Sequence, residues 1–123
     1  NNIFKSINEM INSITNNNKF LTVISYGTLS TISDNVVNNI PMSLAFSNII
    51  ASNNPSIASV YATIIGSNLG AYLTPIGALA GIMWMRILKE QEVDFTFKSF
   101  IINCGRIALP VLIGSLTVLA LII

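Results

Sequence analysis

The sequence predicts an all-α fold: a polytopic membrane protein fragment with a re-entrant helical hairpin, a broken transmembrane helix and a final transmembrane helix. Three observations support this prediction. Of the 123 residues, 52% are hydrophobic and only 9% are charged, whereas about 25% of an ordinary soluble domain is charged. Apolar stretches alternate with short polar clusters. One of these stretches, 55–85, carries no charge and exceeds the length of about 20 residues that one spanning helix needs.

Residues 1–19 are predicted to form an interfacial or loop segment. The segment is rich in asparagine, and its end, Asn16-Asn17-Asn18-Lys19, is a loop signal. Within it, apolar residues recur at the spacing of a short amphipathic helix that would lie on a membrane surface: Ile3, Ile7, Met10, Ile11 and Ile14.

Residues 20–54 are predicted to form the re-entrant hairpin. Its two apolar arms would each be roughly 20–24 Å long as helices, which is shorter than the hydrocarbon core of about 30 Å. We expect the turn at Ser33-Asp34-Asn35 and the exit at Asn53-Asn54-Pro55. The competing interpretation is one continuous helix over 20–51, which would place an aspartate near the centre of the bilayer.

Residues 55–88 are predicted to form the broken transmembrane helix, with half-helices over about 55–66 and 76–88. Glycine relaxes the backbone, and proline removes a donor and clashes with the preceding turn. The expected break residues are Gly66, Gly70, Pro75 and Gly77. Unwound backbone at membrane depth persists only when it is buried in protein or lines a cavity, so the break is a candidate site.

The charged segment 89–99 is predicted to be a cytoplasmic loop, because Arg86, Lys89 and Lys98 lie in or beside it and positive charge favours the cytoplasmic side. Residues 100–123 follow as the last transmembrane helix. Because the chain opens at Asn1 without a methionine and ends in an apolar run, we expect it to be part of a larger, multi-pass carrier in the cell membrane, with the lipid bilayer as its surroundings.

Composition excludes several classes of function. The net charge of +1 gives no basic patch that would indicate a nucleic-acid partner. The chain has no histidine and one cysteine, so histidine-based catalysis, a histidine-ligated metal and a multi-cysteine metal cage are all excluded. We therefore expect no enzyme activity, no cofactor and no metal.

The hairpin tip and the helix break both carry serine and asparagine, and both are expected near the middle of the membrane. Broken helices expose free N–H and C=O groups, from which secondary transporters build their binding sites. The predicted substrate contacts are Ser33, Asn35, Asn38, Ser67, Asn68 and Thr74. A carboxylate at membrane depth is costly, so Asp34 is predicted to carry the coupling proton. The alternative for Asp34 is a wetted residue that caps the second arm of the hairpin.

Two sequence motifs carry a resemblance to a known family. Ser33-Asp34-Asn35-Val36-Val37-Asn38-Asn39-Ile40-Pro41 resembles the second hairpin of the arsenical pump membrane proteins, within the ion-transporter superfamily. Gly66-Ser67-Asn68-Leu69-Gly70 with Leu73-Thr74-Pro75-Ile76-Gly77 is similar to that family's broken helix. The resemblance covers about residues 20–123 and implies the C-terminal part of the second of two inverted repeats. The N-terminal repeat would then be missing from this chain.

The resemblance implies a proton-coupled efflux carrier for arsenite or antimonite, which in some members works with a cytosolic ATPase. The broken-helix motif recurs in the wider superfamily, so a second hypothesis is a sodium-coupled citrate or dicarboxylate carrier or a sodium/proton antiporter. A third hypothesis, from another class, is a non-transporting membrane anchor subunit.

Overall fold

The computed structural model describes residues 2–16, 18–51 and 56–123. Within these ranges the chain folds into six α-helices, which confirms the all-α prediction. They are α1 (Asn2–Thr15), α2 (Lys19–Val37), α3 (Asn39–Ala51), α4 (Ile57–Gly70), α5 (Leu79–Glu90) and α6 (Phe97–Ile122). The predicted turn at Asn53-Asn54-Pro55 lies outside the described residues.

The first break in the helical path lies at Asn38, between α2 and α3. Asn38 has φ 81° and ψ 152°, and its N–H donates to the Asp34 carbonyl oxygen to close α2. If α2 continued, Pro41 would have no N–H for the Val37 carbonyl and its ring would clash there. The helix therefore ends before the proline, and Asn38 adopts a backbone conformation that essentially only glycine occupies without strain.

This position corrects the expected turn at Ser33-Asp34-Asn35. All three residues lie inside α2, because a polar triplet does not break a helix that can satisfy its own backbone bonds. The competing interpretation of one helix over 20–51 is also wrong, since Asn38 separates α2 from α3. Beyond this point α3 contacts both α1 and α2.

The second break is a non-helical connector, 71–78, between α4 and α5. The Ala71, Tyr72 and Leu73 N–H groups close the end of α4, and Pro75 cannot extend it. Gly77 is packed so tightly that a Cβ there would lie 2.8 Å from the Ala71 Cα. The placement of Gly66 is corrected by the structure: it lies inside α4, one turn before its end, whereas Gly70 ends the helix.

The last helix, α6, begins at a Thr96 cap whose hydroxyl oxygen accepts from the Ser99 N–H. With 26 residues, it is the one helix of the described chain long and apolar enough to cross a membrane. α4 is apolar but shorter. Many apolar side chains of α6 are exposed, including Ile107 and Leu121, as expected for a helix that meets lipid or another part of a membrane protein.

The core lies where α2 and α4 pack together, with α1, α3 and α6 around them. Buried apolar side chains from these five helices form one cluster: Ile11, Val23, Tyr26, Met42, Phe46, Ile49, Ile50, Ala58, Ala62, Leu112, Leu116 and Leu119. α5 contributes no buried residue. Thus the first break is anchored on both sides by core helices, whereas the second leads into a helix held at the edge.

Candidate functional site

The site is built on an unusually close approach of α2 and α4. A Cβ at Gly66 would overlap the Ser30 hydroxyl oxygen and the Gly27 carbonyl oxygen. One turn further along α4, a Cβ at Gly70 would lie 2.9 Å from the Thr31 Cα. Small residues four apart let helix backbones approach in this way inside membranes. The two helices that precede the breaks are therefore held as one unit.

This contact, hereafter the α2–α4 seam, is formed by Gly27, Ser30 and Thr31 on α2 and by Gly66 and Gly70 on α4. Hydrogen bonds join the two helices along it. Thr31 Oγ1 lies 2.8 Å from the Gly27 carbonyl oxygen and 3.1 Å from that of Gly66, so its one hydrogen is shared between the helices. Ser30, also on this face and fully buried, donates to the Gly27 carbonyl oxygen. Thr31 thus supplies a polar link between the two helices.

Asn35 connects α2 to the second break. Its Nδ2 donates to the Thr31 carbonyl oxygen at 2.8 Å and to the Gly70 carbonyl oxygen, at the end of α4, at 2.9 Å. Its Oδ1 accepts from the Thr74 hydroxyl at 2.8 Å. One amide therefore holds both the end of α4 and the middle of the connector, which fixes the shape of the unwound segment.

The two breaks meet at a cavity of about 430 Å³, hereafter the break cavity. Its lining residues come from the beginnings of α3 and α5: Asn38, Asn39, Ile40, Ser43, Leu44, Ala78 and Leu79. Ala78, the residue before α5, provides no side-chain cap for that helix. First-turn N–H groups have no acceptor within their own helix and carry partial positive charge. Asparagine and serine side chains thus line the cavity beside two helix N-termini.

Asp34 lies on the helix face that carries Gly27, Ser30 and Thr31, and it is completely buried. Both of its carboxylate oxygens are buried without a hydrogen-bond partner. The ion pairs of the described chain are Lys5–Glu9 and Arg86–Glu90, so no cation compensates it there. A buried carboxylate without compensation is costly, and taking up a proton removes most of that cost.

The structure brings some of the predicted substrate contacts together and separates others. Asn35 and Thr74 are bonded to each other, and Asn38 lines the break cavity. Ser67 is buried on α4, where its hydroxyl donates to the Ile64 carbonyl oxygen. Asn68 is exposed and donates to the same carbonyl within its own helix. Ser33 is half-buried inside α2.

Several residues of the site were missed by the sequence analysis. Thr31, Ser30 and Gly27 form the α2 side of the seam, and Ser43 lines the break cavity. The four-residue spacing of Gly66 and Gly70 is a signal that could have indicated the seam. The sequence alone does not indicate that these two glycines pack against Gly27 and Thr31, which lie 35 or more residues away.

Comparison with known proteins supplies the family. The model of the arsenical pump membrane protein family, ArsB, matches residues 2–123. Among curated relatives, an arsenical pump membrane protein of Escherichia coli is 27% identical over 119 residues, which cover 94% of this chain and 28% of the relative. That of Yersinia enterocolitica is 32% identical over 109 residues, covering 84% and 25%.

A putative arsenical pump membrane protein of Bacillus subtilis is 34% identical over 79 residues, which cover 61% of this chain and 18% of the relative. No solved structure matches the chain significantly. The chain spans about a quarter of the length of the Escherichia coli and Yersinia relatives. Because the family model matches almost the whole chain, this protein belongs to the ArsB family of arsenical pump membrane proteins, a family of membrane pumps rather than enzymes.

Proposed function

We propose that this chain forms part of a secondary carrier that exports arsenite or antimonite in exchange for protons. The observation that carries the proposal is the meeting of two helix breaks at one cavity, with the first turns of α3 and α5 on its walls. Secondary transporters place their solute between discontinuous helices, where backbone groups are free to bind it. The names of the relatives supply the solute class, since all are arsenical pumps.

The chemistry of the break cavity suits a neutral hydroxylated solute. At neutral pH, arsenite is an undissociated trihydroxide, whose hydroxyl groups both donate and accept hydrogen bonds. First-turn N–H groups would donate to its oxygens, and the Asn38, Asn39 and Ser43 side chains would accept from its hydroxyls. All described residues that line the cavity are uncharged, which disfavours a dicarboxylate because a buried anion needs a counter-charge.

In this proposal Asp34 carries the coupled proton. Its buried carboxyl group has no partner and no cation nearby in the described chain, so it is stable there when protonated and becomes charged only when water or a cation reaches it. Access from one side of the membrane would load the proton, and access from the other side would release it. The exchange therefore links the protonation of Asp34 to the direction in which the cavity opens.

The tight α2–α4 seam supports a rigid-body form of alternating access. Because the Gly66 and Gly70 backbone lies directly against α2, the hairpin-like α2–α3 pair and the broken α4–α5 pair would move together. The lipid bilayer, the N-terminal repeat and, in some systems, a cytosolic ATPase remain the proposed partners of the complete carrier. The proposed location is the cell membrane, with 89–99 on the cytoplasmic side.

The first experiment replaces Asp34→Asn in the complete protein and measures arsenite uptake into everted membrane vesicles energised by a proton gradient. We expect proton-driven uptake to fall to the background level, because the amide cannot exchange a proton. Asp94→Asn, in the exposed loop after α5, is the matched control and should retain normal uptake. Full proton-driven uptake by the Asp34→Asn variant would refute the proton-carrying role.

The same vesicles discriminate the two other hypotheses. A sodium-coupled anion carrier or sodium/proton antiporter requires that transport depend on a sodium gradient, whereas the present proposal requires arsenite uptake without sodium. A non-transporting anchor subunit requires that the complete protein move no solute under either gradient. The unwound connector 71–78 argues against an anchor, because a simple anchor has no need of interrupted backbone.

A further inference from the structure

We propose a second solute-binding position, in a hydroxyl-lined cleft between α3 and α4 that adjoins the break cavity. The cleft has a volume of about 280 Å³. Its lining residues include four hydroxyl-bearing side chains, two on each helix: Ser43, Ser47, Thr63 and Ser67. This inference rests on the proposed transport function and extends the solute path beyond the break cavity.

The hydroxyl groups lie on regular stripes of the two facing helices. On α3, Asn39, Ser43 and Ser47 are spaced four apart, which places them on one helix face. On α4, Thr63 and Ser67 have the same spacing. The remaining lining residues are apolar, so the hydroxyls form the polar path through this cleft.

Thr63 is the observation that points to a ligand. Its side chain is 92% buried, and its hydroxyl oxygen has no hydrogen-bond partner. Hydroxyl groups buried in proteins are bonded in the large majority of cases, so an unbonded one calls for an explanation. Thr63 lines the cleft, where a solute hydroxyl or a water molecule would complete its bonding.

Ser43 lies between the cleft and the break cavity, because it lines both. Its hydroxyl donates to the Asn39 carbonyl oxygen at 2.8 Å and lies 3.1 Å from Asn39 Oδ1. A solute leaving the first turn of α3 would therefore meet Ser43, then Ser47 and the two α4 hydroxyls. A neutral solute on this path could form hydrogen bonds with the next hydroxyl groups before it loses those with the previous ones.

The lining defines the ligand class. All the described residues around the cleft are uncharged, so an ion would lose its hydration without a counter-charge. A small neutral solute with several hydroxyl groups matches serine and threonine side chains, which both donate and accept. Undissociated arsenite and antimonite belong to this class. The volume also exceeds that of a single water molecule, about 30 Å³.

The test measures arsenite uptake kinetics of the complete protein carrying Thr63→Val or Ser47→Ala in everted vesicles. Valine keeps the shape of threonine and removes only the hydroxyl. We expect each variant to raise the KM for arsenite about three- to tenfold, the effect of losing one hydrogen bond to the solute. Thr63→Ser should keep the KM of the parent. Thr117→Val, on an exposed face of α6, is the control and should leave the KM unchanged.

Thermal unfolding of the purified variants separates solute binding from a structural role. Thr63→Val should unfold at the same temperature as the parent or higher, because it removes an unbonded buried hydroxyl. Unchanged KM values in Thr63→Val and Ser47→Ala, with uptake by the parent intact, would overturn the second position and leave the proposed function standing. Absence of arsenite uptake by the parent itself would instead refute the proposed function.

Discussion

The two helix breaks of this protein have different constructions. Between α2 and α3 a single residue, Asn38, interrupts the helical path with φ 81°, and both flanking helices are packed into the core. Between α4 and α5 eight residues, 71–78, are unwound, no residue among them has a positive φ, and α5 buries nothing. The first break is a local backbone bend. The second is a connector whose shape depends on side chains from another helix.

This difference shows how an interrupted helix can be stabilised in two ways. At Asn38 the free-energy cost of the break lies in one unfavourable backbone conformation, and the packing of the surrounding core holds the residue in it. In the connector the cost lies in carbonyl groups released by the end of α4. Asn35 donates to one of them, that of Gly70, and the Thr74 hydroxyl donates to the Asn35 side-chain oxygen. The two Asn35 bonds depend on the α2–α4 seam, which brings the Asn35 side chain within reach of Gly70.

The largest effect is expected from placing a large side chain in the close contact between α2 and α4, the helices that precede the two breaks. Gly66→Leu should destabilise the protein by about 3 kcal/mol or more, because the new side chain overlaps Ser30 and the Gly27 carbonyl and neither backbone can withdraw cheaply. The unfolding temperature of the complete protein in detergent measures the change. Gly114→Leu is the matched control, since a Cβ at Gly114 meets nothing within 4 Å. Equal stability of the two variants would contradict the close approach of α2 and α4.

An intermediate effect is expected at the second break alone. Asn35→Leu removes the donor to the Gly70 carbonyl oxygen and the acceptor for Thr74, so we expect a loss of about 2–3 kcal/mol in unfolding free energy. Denaturant unfolding measures the loss. Asn103→Leu removes one exposed bond within α6 and should change stability by less than about 0.5 kcal/mol. A similar, small effect of both substitutions would show that the connector holds its shape without Asn35.

The smallest effect, and the sharpest contrast, is expected from paired substitutions at one residue of each break. At Asn38 glycine should be more stable than valine by about 1–3 kcal/mol, because a β-branched residue resists positive φ. At Ala78, where φ is −142° and ψ 145°, the order should reverse, because valine favours extended backbone and glycine loses more entropy. Unfolding free energies of the four variants decide this. The same order at both positions would contradict the distinction between the two breaks.

Parts of this architecture were predictable from the sequence because their causes are local. Low charge and long apolar stretches predict an all-helical membrane protein, and the family match agrees with that class. Pro75 and Gly77, two positions apart, both disfavour a regular helix, so the connector could be located within a few residues. The resemblance of the motifs to arsenical pumps is likewise a property of the residues themselves.

The position of the first break could not be predicted in the same way. Ser33-Asp34-Asn35 has the composition of a turn, but the fold uses Asn35 to hold the second break and buries Asp34 in α2. Of these three polar side chains, that of Asn35 donates instead to the Gly70 carbonyl oxygen at the end of α4. The local signal for the break, Pro41 preceded by two asparagines, was present, but it competed with a more polar segment one turn earlier.

The sequence by itself therefore determined the all-helical class and the approximate place of the connector, because dihedral limits and transfer free energies act on each residue separately. Only the tertiary structure decided which polar groups meet. The Asn35 bonds to Gly70 and Thr74 join residues 35 and 39 positions apart, and the break cavity joins the beginnings of α3 and α5. Such pairings follow from how closely α2 and α4 pack, and that distance depends on the fit of all the side chains between them.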